Sequence, residues 1–449
     1  MIDSGMDLAR LNFSHGDHQS HEQTFNNLRN LCDELAIGID ISGPKIRLGK
    51  LEEKITLQRD ETVILTTRDV VGKGNLLPIN YANLPKELKP NMSIYINDGL
   101  VKLNTESIVD DEITCKVLDG GEISSRKGVN IPKADLSIRV PTKKDIIDIE
   151  KACDLETDFL FISFVRSIAD LRKVKEIVAS KTKKDIHLIA KIEHKDSLNS
   201  IKEITSFCDG LMVARGDLAI EVGSAKVPVL QKQLIQLGMS MAKPVIVATQ
   251  MLESMTKETL PTRAEASDVA HAVFDGADAL MLSAETATGK HPLQVLKVMN
   301  EIILEAEKNL ALDRPLVADS EASIGKEIGI AAVKLAQRMS VKAIIALTQT
   351  GYSASMVSRN RENFPIYAVT HNHDTKRTAR LYWGVKPIIH EFEEDYDKLV
   401  FNVIKKLHKD KYLDMRDNVV LVAGSMVGIS GKTHTIQLLN VDETLSNEN

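Results

Sequence analysis

Charged and hydroxyl side chains collect at the C-terminal ends of short apolar runs, where folded strands would deliver them to one shared mouth. The run LARLNF (8–13) brings Arg10 and Asn12, with Ser14 just beyond it, and IGIDI (37–41) brings Asp40. HLIAKIE (187–193) ends in Lys191 and Glu193, and GLMVARGD (210–217) in Arg215 and Asp217. PVIVATQ (244–250) supplies Thr249, and ALMLSAE (279–285) supplies Ser283 and Glu285. Charges beside a packed interior are costly unless they are paired or hold a ligand. Period-2 alternation puts Lys191 and Glu193 on one side of their strand. Glu193 and Asp217 on adjacent strands could hold one divalent cation, Mg²⁺ or Mn²⁺, with positions left open for substrate oxygens. Arg10 and Lys191 beside that cation suit an anion whose charge is spread over several oxygens, a phosphate or a phosphorylated acid. Each residue also has a plain structural explanation: Lys191–Glu193 as an ion pair, Asp217 or Ser283 as a helix cap, His15 as an isolated histidine. Six strand ends carrying such groups together point to a site.

The elements that must position these residues repeat in organisation rather than in sequence. With FLFISF (159–164) included, the run centres step from Ile162 to Ile189, Val213, Val247 and Met281, at intervals of 27, 24, 34 and 34 residues. Near-continuous apolar strands at that pitch read as β-α units around a covered parallel sheet. An open doubly wound sheet gathers only the strand ends near its switch point, whereas a closed barrel gathers all of them on one face. The expected fold class is therefore α/β, a (β/α)8 TIM barrel. Helix signals agree: Thr262 and Glu265 form a capping box, and Ile168, Leu171, Val174 and Val178 make an apolar stripe.

Between Arg47 and Val140 the period changes to two, in KITLQRDETVIL, SIYINDGLVKL and EITCKVL, cut by turn clusters such as DVVGKGN and DGGE. This predicts a small antiparallel β domain over 48–140, inserted into a barrel made of 1–47 and 141–318. After residue 318 a helix, SIGKEIGIAAVKLAQRM, and the runs AIIAL (343–347), IYAVT (366–370), VKPII (385–389) and VVLVAG (419–424) predict a separate α/β domain over 319–449. Three domains suit a chain of 449 residues that is 43% hydrophobic. A net charge of −6 argues against a nucleic-acid partner, and no apolar run approaches the ~20 residues of a membrane span. The first residues, MIDSGMDLAR, carry no targeting signature. Cys32, Cys115, Cys153 and Cys208 lie 38 to 83 residues apart, neither a zinc set nor a disulfide framework, so a reducing, cytoplasmic location is expected.

The chain closely resembles the pyruvate kinase family over nearly its whole length. The matching segments are GMDLARLNFSHG (5–16), DISGPKIRLG (40–49), GVNIP (128–132), AKIEH (190–194), VARGDLAIEV (213–222), ATQMLESM (248–255), PTRAEASDVAHAVFDGADALMLSAETATGKHP (261–292) and LYWGVKP (381–387). The resemblance implies phosphoryl transfer from phosphoenolpyruvate to ADP, giving pyruvate and ATP. It implies that Glu193 and Asp217 hold the divalent metal, Lys191 stabilises the transferring group and Arg10 grips the phosphate of phosphoenolpyruvate. Thr249 would stand by the enolate carbon, and backbone N–H groups near Gly216 and Asp217 would receive the substrate carboxylate. Ser283 and Glu285 join the expected catalytic set. The inserted domain resembles the family's mobile lid, with Asp98 and Lys127 facing the site alongside Arg47 and His15. The nearest rival is a metal-dependent pyruvate-type aldolase or lyase.

Three departures from the family pattern carry expectations of their own. Many relatives bind K⁺ through residues matching Asn12, Ser14, Asp40 and the carbonyl of Ile41, and carry GPE where this chain reads GPK; Lys45 is expected to make K⁺ dispensable. The loop TQTGYSA (348–354) matches a phosphate loop for an allosteric effector, with Thr348, Thr350 and Ser353 as its cradle and 425–433 closing over it. Tyr352 stands where relatives often have Arg. That domain usually helps form a homotetramer. Finally, relatives carry a strand and helix ahead of the GMxxARxNFSHG segment, so the expectation is a barrel short of its first β-α unit, weaker in stability and nucleotide binding. A catalytically impaired regulatory relative is the corresponding alternative.

Overall fold

The computed structural model describes residues 1–132, 134–310, 323–424 and 433–446. Seven parallel strands form its largest sheet: β1 (Leu8–Asn12), β2 (Ala36–Ile41), β3 (Phe159–Ile162), β4 (His187–Ile192), β5 (Gly210–Ala214), β6 (Val245–Ala248) and β7 (Ala279–Met281). They pair in sequence order, with β1 and β7 at the two ends of the sheet. All six residues of β2 and all five of β5 are buried, whereas β7 is half-buried along its length. Alternation sorts the side chains into two cores. Leu160, Ile162, Leu188, Leu211, Val213, Val245 and Val247 pack outward under the helices. Phe159, Phe161, Ile189, Met212 and Ile246 pack together inside the curl of the sheet. Gly38 makes room for this inner layer, because a Cβ there would stand 2.3 Å from the Phe161 ring. Since Ile189 faces inward, so does Lys191, two residues on.

The helices start where their caps dictate. The helix α1 (His18–Leu31) has Asp17 at its N-cap, and α2 (Ile168–Lys181) buries Leu171, Val174 and Val178 of the expected stripe. A short helix, α3 (Arg215–Val222), follows β5 directly, with Ala214 rather than Asp217 at its N-cap. The helix α4 (Arg263–Asp275) carries the Thr262–Glu265 capping box and ends on Gly276 in the left-handed conformation.

Between β2 and β3 the chain builds a second seven-stranded sheet, in the spatial order Ile46–Arg47, Gly128–Asn130, Ser93–Ile96, Val101–Val109, Glu112–Asp119, Thr62–Thr66 and Leu76–Pro78. The expectation of antiparallel pairing fails within this sheet where Thr62–Thr66 and Leu76–Pro78 run parallel, with Ile64 opposite Leu76, and beside it at the parallel bridge of Leu51 and Gly72. Leu76–Pro78 is the edge of that sheet, where Pro78 can lack its N–H without breaking a ladder. The sheet surrounds its own core of Leu65, Leu77, Ile94, Ile96, Leu103 and neighbours.

The C-terminal residues form a five-stranded sheet of β8 (Ala343–Leu347), β9 (Ile366–Thr370), β10 (Val385–Ile389), β11 (Asn418–Ala423) and β12 (Thr435–Asn440), in the order β10-β9-β8-β11-β12. The fifth strand, antiparallel to β11, escaped the sequence reading because TIQLLN is a half-buried edge without a continuous apolar run. Apolar clusters cover both faces of this sheet. Leu381 leaves it and joins the inner core of the seven-stranded sheet, packing with Phe159, Phe161, Ile189 and Met212. Polar contacts flank that plug: Arg361 meets buried Asp278 at 2.6 Å, and Asp158 receives Arg29 at 2.8 Å, Lys184 at 3.1 Å and Arg377 at 2.9 Å. Among the described residues no helix is long and apolar enough to cross a membrane. Cys115, Cys153 and Cys208 are buried, and burial pushes their thiols up to about 12, 11 and 11, which keeps them inert as nucleophiles.

The segment returning from the inserted sheet is held by cations. Lys195 donates to the carbonyl of Pro132, and Arg166 and Arg139 donate to that of Leu136. Glu221, at the end of α3, lies 3.7 Å from His194 in this group. Burial raises its carboxyl to about 7, against the opposing pull of Lys195 and Arg166. A carboxyl raised on folding binds its proton more tightly in the native state, so it costs nothing at low pH and its full penalty only above about 7. Glu221→Gln is therefore expected to raise the melting temperature at pH 8, by an amount corresponding to order 1–3 kcal/mol. The gain should shrink toward pH 5. Melts showing the same difference at both pH values would contradict this account.

Candidate active site

The strand ends converge on a chain of alternating charges. From β1, Arg10 Nε donates to Asp40 Oδ2 at 2.7 Å. Lys191 Nζ lies 3.2 Å from Asp40 Oδ1 on β2 and 2.9 Å from Glu193 Oε1. Ser163, just past β3, completes the cluster: its hydroxyl stands 2.7 Å from Lys191 Nζ and donates to the carbonyl of Ile41 at 2.7 Å. The other oxygen of Glu193 accepts the N–H of Phe164 at 2.9 Å. Sequence reasoning missed Ser163, although FLFISF has the same strand-end position that singled out the others.

Burial decides how these groups titrate. Asp40 and Glu193 are 1% and 2% exposed, and Lys191 is 9% exposed. Burial alone would raise the Asp40 carboxyl, but Lys191 and Arg10 outweigh it and hold it below the usual carboxylate range. Burial alone would lower the Lys191 ammonium, but Asp40 and Glu193 outweigh it and keep the lysine charged. Glu193 goes the other way: burial first, then the negative charges of Asp217 and Asp40, raise it despite Lys191. Glu193 and Asp217 thus lie near enough for their negative charges to oppose each other, a donor pair that suits a hard divalent cation. Asp217 is itself paired with Lys45, at 3.0 and 3.3 Å to its two oxygens.

Thr249 closes the opposite side. Its hydroxyl accepts the N–H of Gly216 at 3.0 Å, so that amide at the start of α3 is already engaged. Its backbone is held in the left-handed region, with φ 73 at Thr249 and 53 at Gln250. Such conformations cost of order 1–3 kcal/mol each and persist only where the surroundings impose them. Here Arg215 imposes one, donating to the Thr249 carbonyl at 2.6 Å while pairing with Asp268 at 2.7 Å. Glu285 braces the backbone just beyond Gln250. It is 2% exposed, and its two oxygens accept the N–H groups of Leu252 and Ser283 at 3.3 and 2.7 Å.

The remaining expected residues spread around the mouth. His15 is exposed and titrates below its ordinary value, through burial and then through the positive charges of Arg47, Arg10 and Lys45. Arg47, Arg10 and Lys45 thus place positive charge around a histidine that favours its neutral form. Asn12 caps the turn after β1, its side chain accepting the N–H of Ser14 at 3.1 Å. Asp98 is exposed in a tight turn, where a Cβ on the next residue, Gly99, would stand 3.7 Å from Ile220 on α3, and Lys127 is half-buried. In the C-terminal sheet, Thr348 accepts the N–H of Gly351 at 2.9 Å, Ser353 meets Thr433 at 2.9 Å, and Thr350 is exposed. Most of the loop expected to close over them, 425–432, lies outside the described residues.

Comparison with known proteins identifies the architecture. The family described as "Pyruvate kinase, barrel domain" matches residues 1–296, and "Pyruvate kinase, alpha/beta domain" matches residues 326–439. The chain is 39% identical to the pyruvate kinase of Thermotoga maritima, over 98% of this chain and 95% of that protein. It is 38% identical to the pyruvate kinase of Corynebacterium glutamicum, over 98% and 93%, and 37% identical to that of Staphylococcus saprophyticus, over 99% and 78%. Two family matches in the expected order, and relatives 37–39% identical over 98–99% of the chain, leave one assignment: this chain belongs to the pyruvate kinase family.

Proposed function

We propose that the mouth of the seven-stranded sheet transfers the phosphoryl group of phosphoenolpyruvate to ADP. The observation that carries this reading is the buried ammonium of Lys191, fixed beside Arg10 and next to the carboxylate pair of Glu193 and Asp217. In the reaction the bond from phosphorus to the enol oxygen breaks and a bond to a terminal oxygen of ADP forms. The enolate left behind takes a proton at carbon and becomes pyruvate. Such a transfer asks the protein chiefly for positioning and charge neutralisation. Arg10 would grip the phosphate, and Lys191 would stay with it as charge develops on the transferring oxygens. Mg²⁺ or Mn²⁺, held by Glu193 and Asp217, would neutralise substrate oxygens. Thr249 would stand by the enolate carbon, and the amides around Gly216 and Asp217 would seat the carboxylate, the Gly216 N–H on exchanging its bond to Thr249. Glu285, with Ser283, and Arg215 would hold the Thr249 loop in its strained form. Arg47, His15, Lys127 and Asp98 would serve the nucleotide side, residues 48–140 acting as a lid that excludes water.

A pyruvate-type lyase is not favoured, since the full-length relatives are pyruvate kinases, and neither is an impaired regulatory relative. A homotetramer, a phosphorylated effector cradled by Thr348, Thr350 and Ser353, and a cytoplasmic setting belong to the same proposal. So does a monovalent-cation site at Asn12, Ser14, Asp40 and Ile41 that Lys45 makes dispensable.

Two measurements test the chemistry. Lys191→Met should lower kcat by about a thousandfold, corresponding to about 4 kcal/mol of transition-state stabilisation, with a smaller change in KM for phosphoenolpyruvate. A variant within tenfold of the parent in a coupled assay for pyruvate would overturn the role. Turnover in a K⁺-free buffer series should stay within a few-fold of its value in K⁺. Full dependence on K⁺ would remove Lys45 from that role.

A further inference from the structure

Lys45 occupies an unusual place. Gly43, with φ 65, and Pro44 form a tight turn in which Lys45 N–H returns to the Gly43 carbonyl at 2.9 Å. A Cβ on Gly43 would stand 2.9 Å from the Cβ of Ser163, so the turn is pressed against the Lys191 cluster. From there the Lys45 stem runs between the two sheets. Gly128 leaves the passage open, since a Cβ there would stand 3.0 Å from Lys45 Cε. The ammonium lies 6.0 Å from the centre of the Phe164 ring and reaches both oxygens of Asp217. Every carboxylate of the mouth therefore has a resident cation: Asp40 has Arg10 and Lys191, Glu193 has Lys191, and Asp217 has Lys45.

We propose that Lys45 is the displaceable counter-ion of Asp217, so that a divalent cation gains this carboxylate by exchange with the Lys45 ammonium. This rests on the reading that Glu193 and Asp217 hold the metal. Lys45 engages both oxygens of Asp217, at 3.0 and 3.3 Å, whereas Lys191 engages one oxygen of Glu193, so a cation entering at Asp217 meets the Lys45 ammonium at close range in a half-buried site, where the two positive charges repel. Lys191 and Arg10 are locked by Asp40, whereas Lys45 hangs from a turn and is held at its tip by Asp217 and the Phe164 ring. It is the cation free to leave. Because Ile46 and Arg47, which pair with Gly128 and Val129, follow it directly, its departure would be felt first at the root of the inserted sheet.

The test titrates Mn²⁺ into the full-length protein without substrate, reading free Mn²⁺ by electron paramagnetic resonance. Wild type, Lys45→Met, Lys45→Gln and Glu193→Gln are compared. Glu193→Gln should lose most Mn²⁺ binding, which establishes the site. Both Lys45 variants should bind Mn²⁺ about tenfold tighter, since the ion no longer competes with an ammonium. In EDTA the Lys45 variants should melt below wild type, and saturating Mn²⁺ should erase or reverse that difference. If Glu193→Gln abolishes binding while the Lys45 variants bind equally or more weakly than wild type, the exchange is overturned and the metal site stands. If Glu193→Gln binds as wild type does, the metal assignment fails and the exchange fails with it.

Discussion

A buried lysine charge is the constraint on which the rest of the site depends. An ammonium that is 9% exposed cannot be tolerated without partners, and removing one partner of such a pair costs about 3–5 kcal/mol. The partners of Lys191 come from three adjacent stretches of chain: Asp40 on β2, Ser163 after β3, and Glu193 after β4. A slip of one residue in any of these strands would turn its side chain to the outer face and leave the ammonium unpaired. The register that packs Phe161, Ile189 and Met212 inward is thus the register that assembles the mouth. Packing and chemistry select the same alignment.

The two ends of the sheet are built for different tasks. Beneath the inner core, Leu381 supplies an apolar plug, and Arg361–Asp278, Arg377–Asp158 and Lys184–Asp374 tie the C-terminal domain against it. Above, contacts to the inserted sheet and its returning segment are made by long cations on backbone carbonyls and by Lys45 on Asp217. Long, solvent-reaching side chains can release and re-form where interlocked apolar packing cannot. Strain gathers at the same end, in the left-handed residues Thr249 and Gln250.

Much of this was legible in the chain itself. The strand pitch, the capping box at Thr262, the switch to period two after Arg47 and the restart after residue 318 each name an element. The paired placement of Lys191 and Glu193 follows from alternation alone. What escaped had weak local signals. Ser163 offers the same strand-end position as the others but only a hydroxyl, and its bond to Lys191 is a matter of which strands lie side by side. The edge strand β12 lacks a continuous apolar run, and the parallel pairing of Thr62–Thr66 with Leu76–Pro78 is a matter of how a loop returns. For Glu285 the residue type gave a chemical group but not its use, and only its bonds to two backbone amides show that its oxygens are already engaged.

The sequence by itself determined which residues stand at strand ends, because period and polarity are local properties that no fold can alter. Tertiary structure decided which charge answers which. Arg10 meets Asp40 across 30 residues, and Lys45 meets Asp217 across 172. Pairings at such separations depend on sheet curl and side-chain reach, and Coulomb attraction is set by final distance and burial rather than by position in the chain.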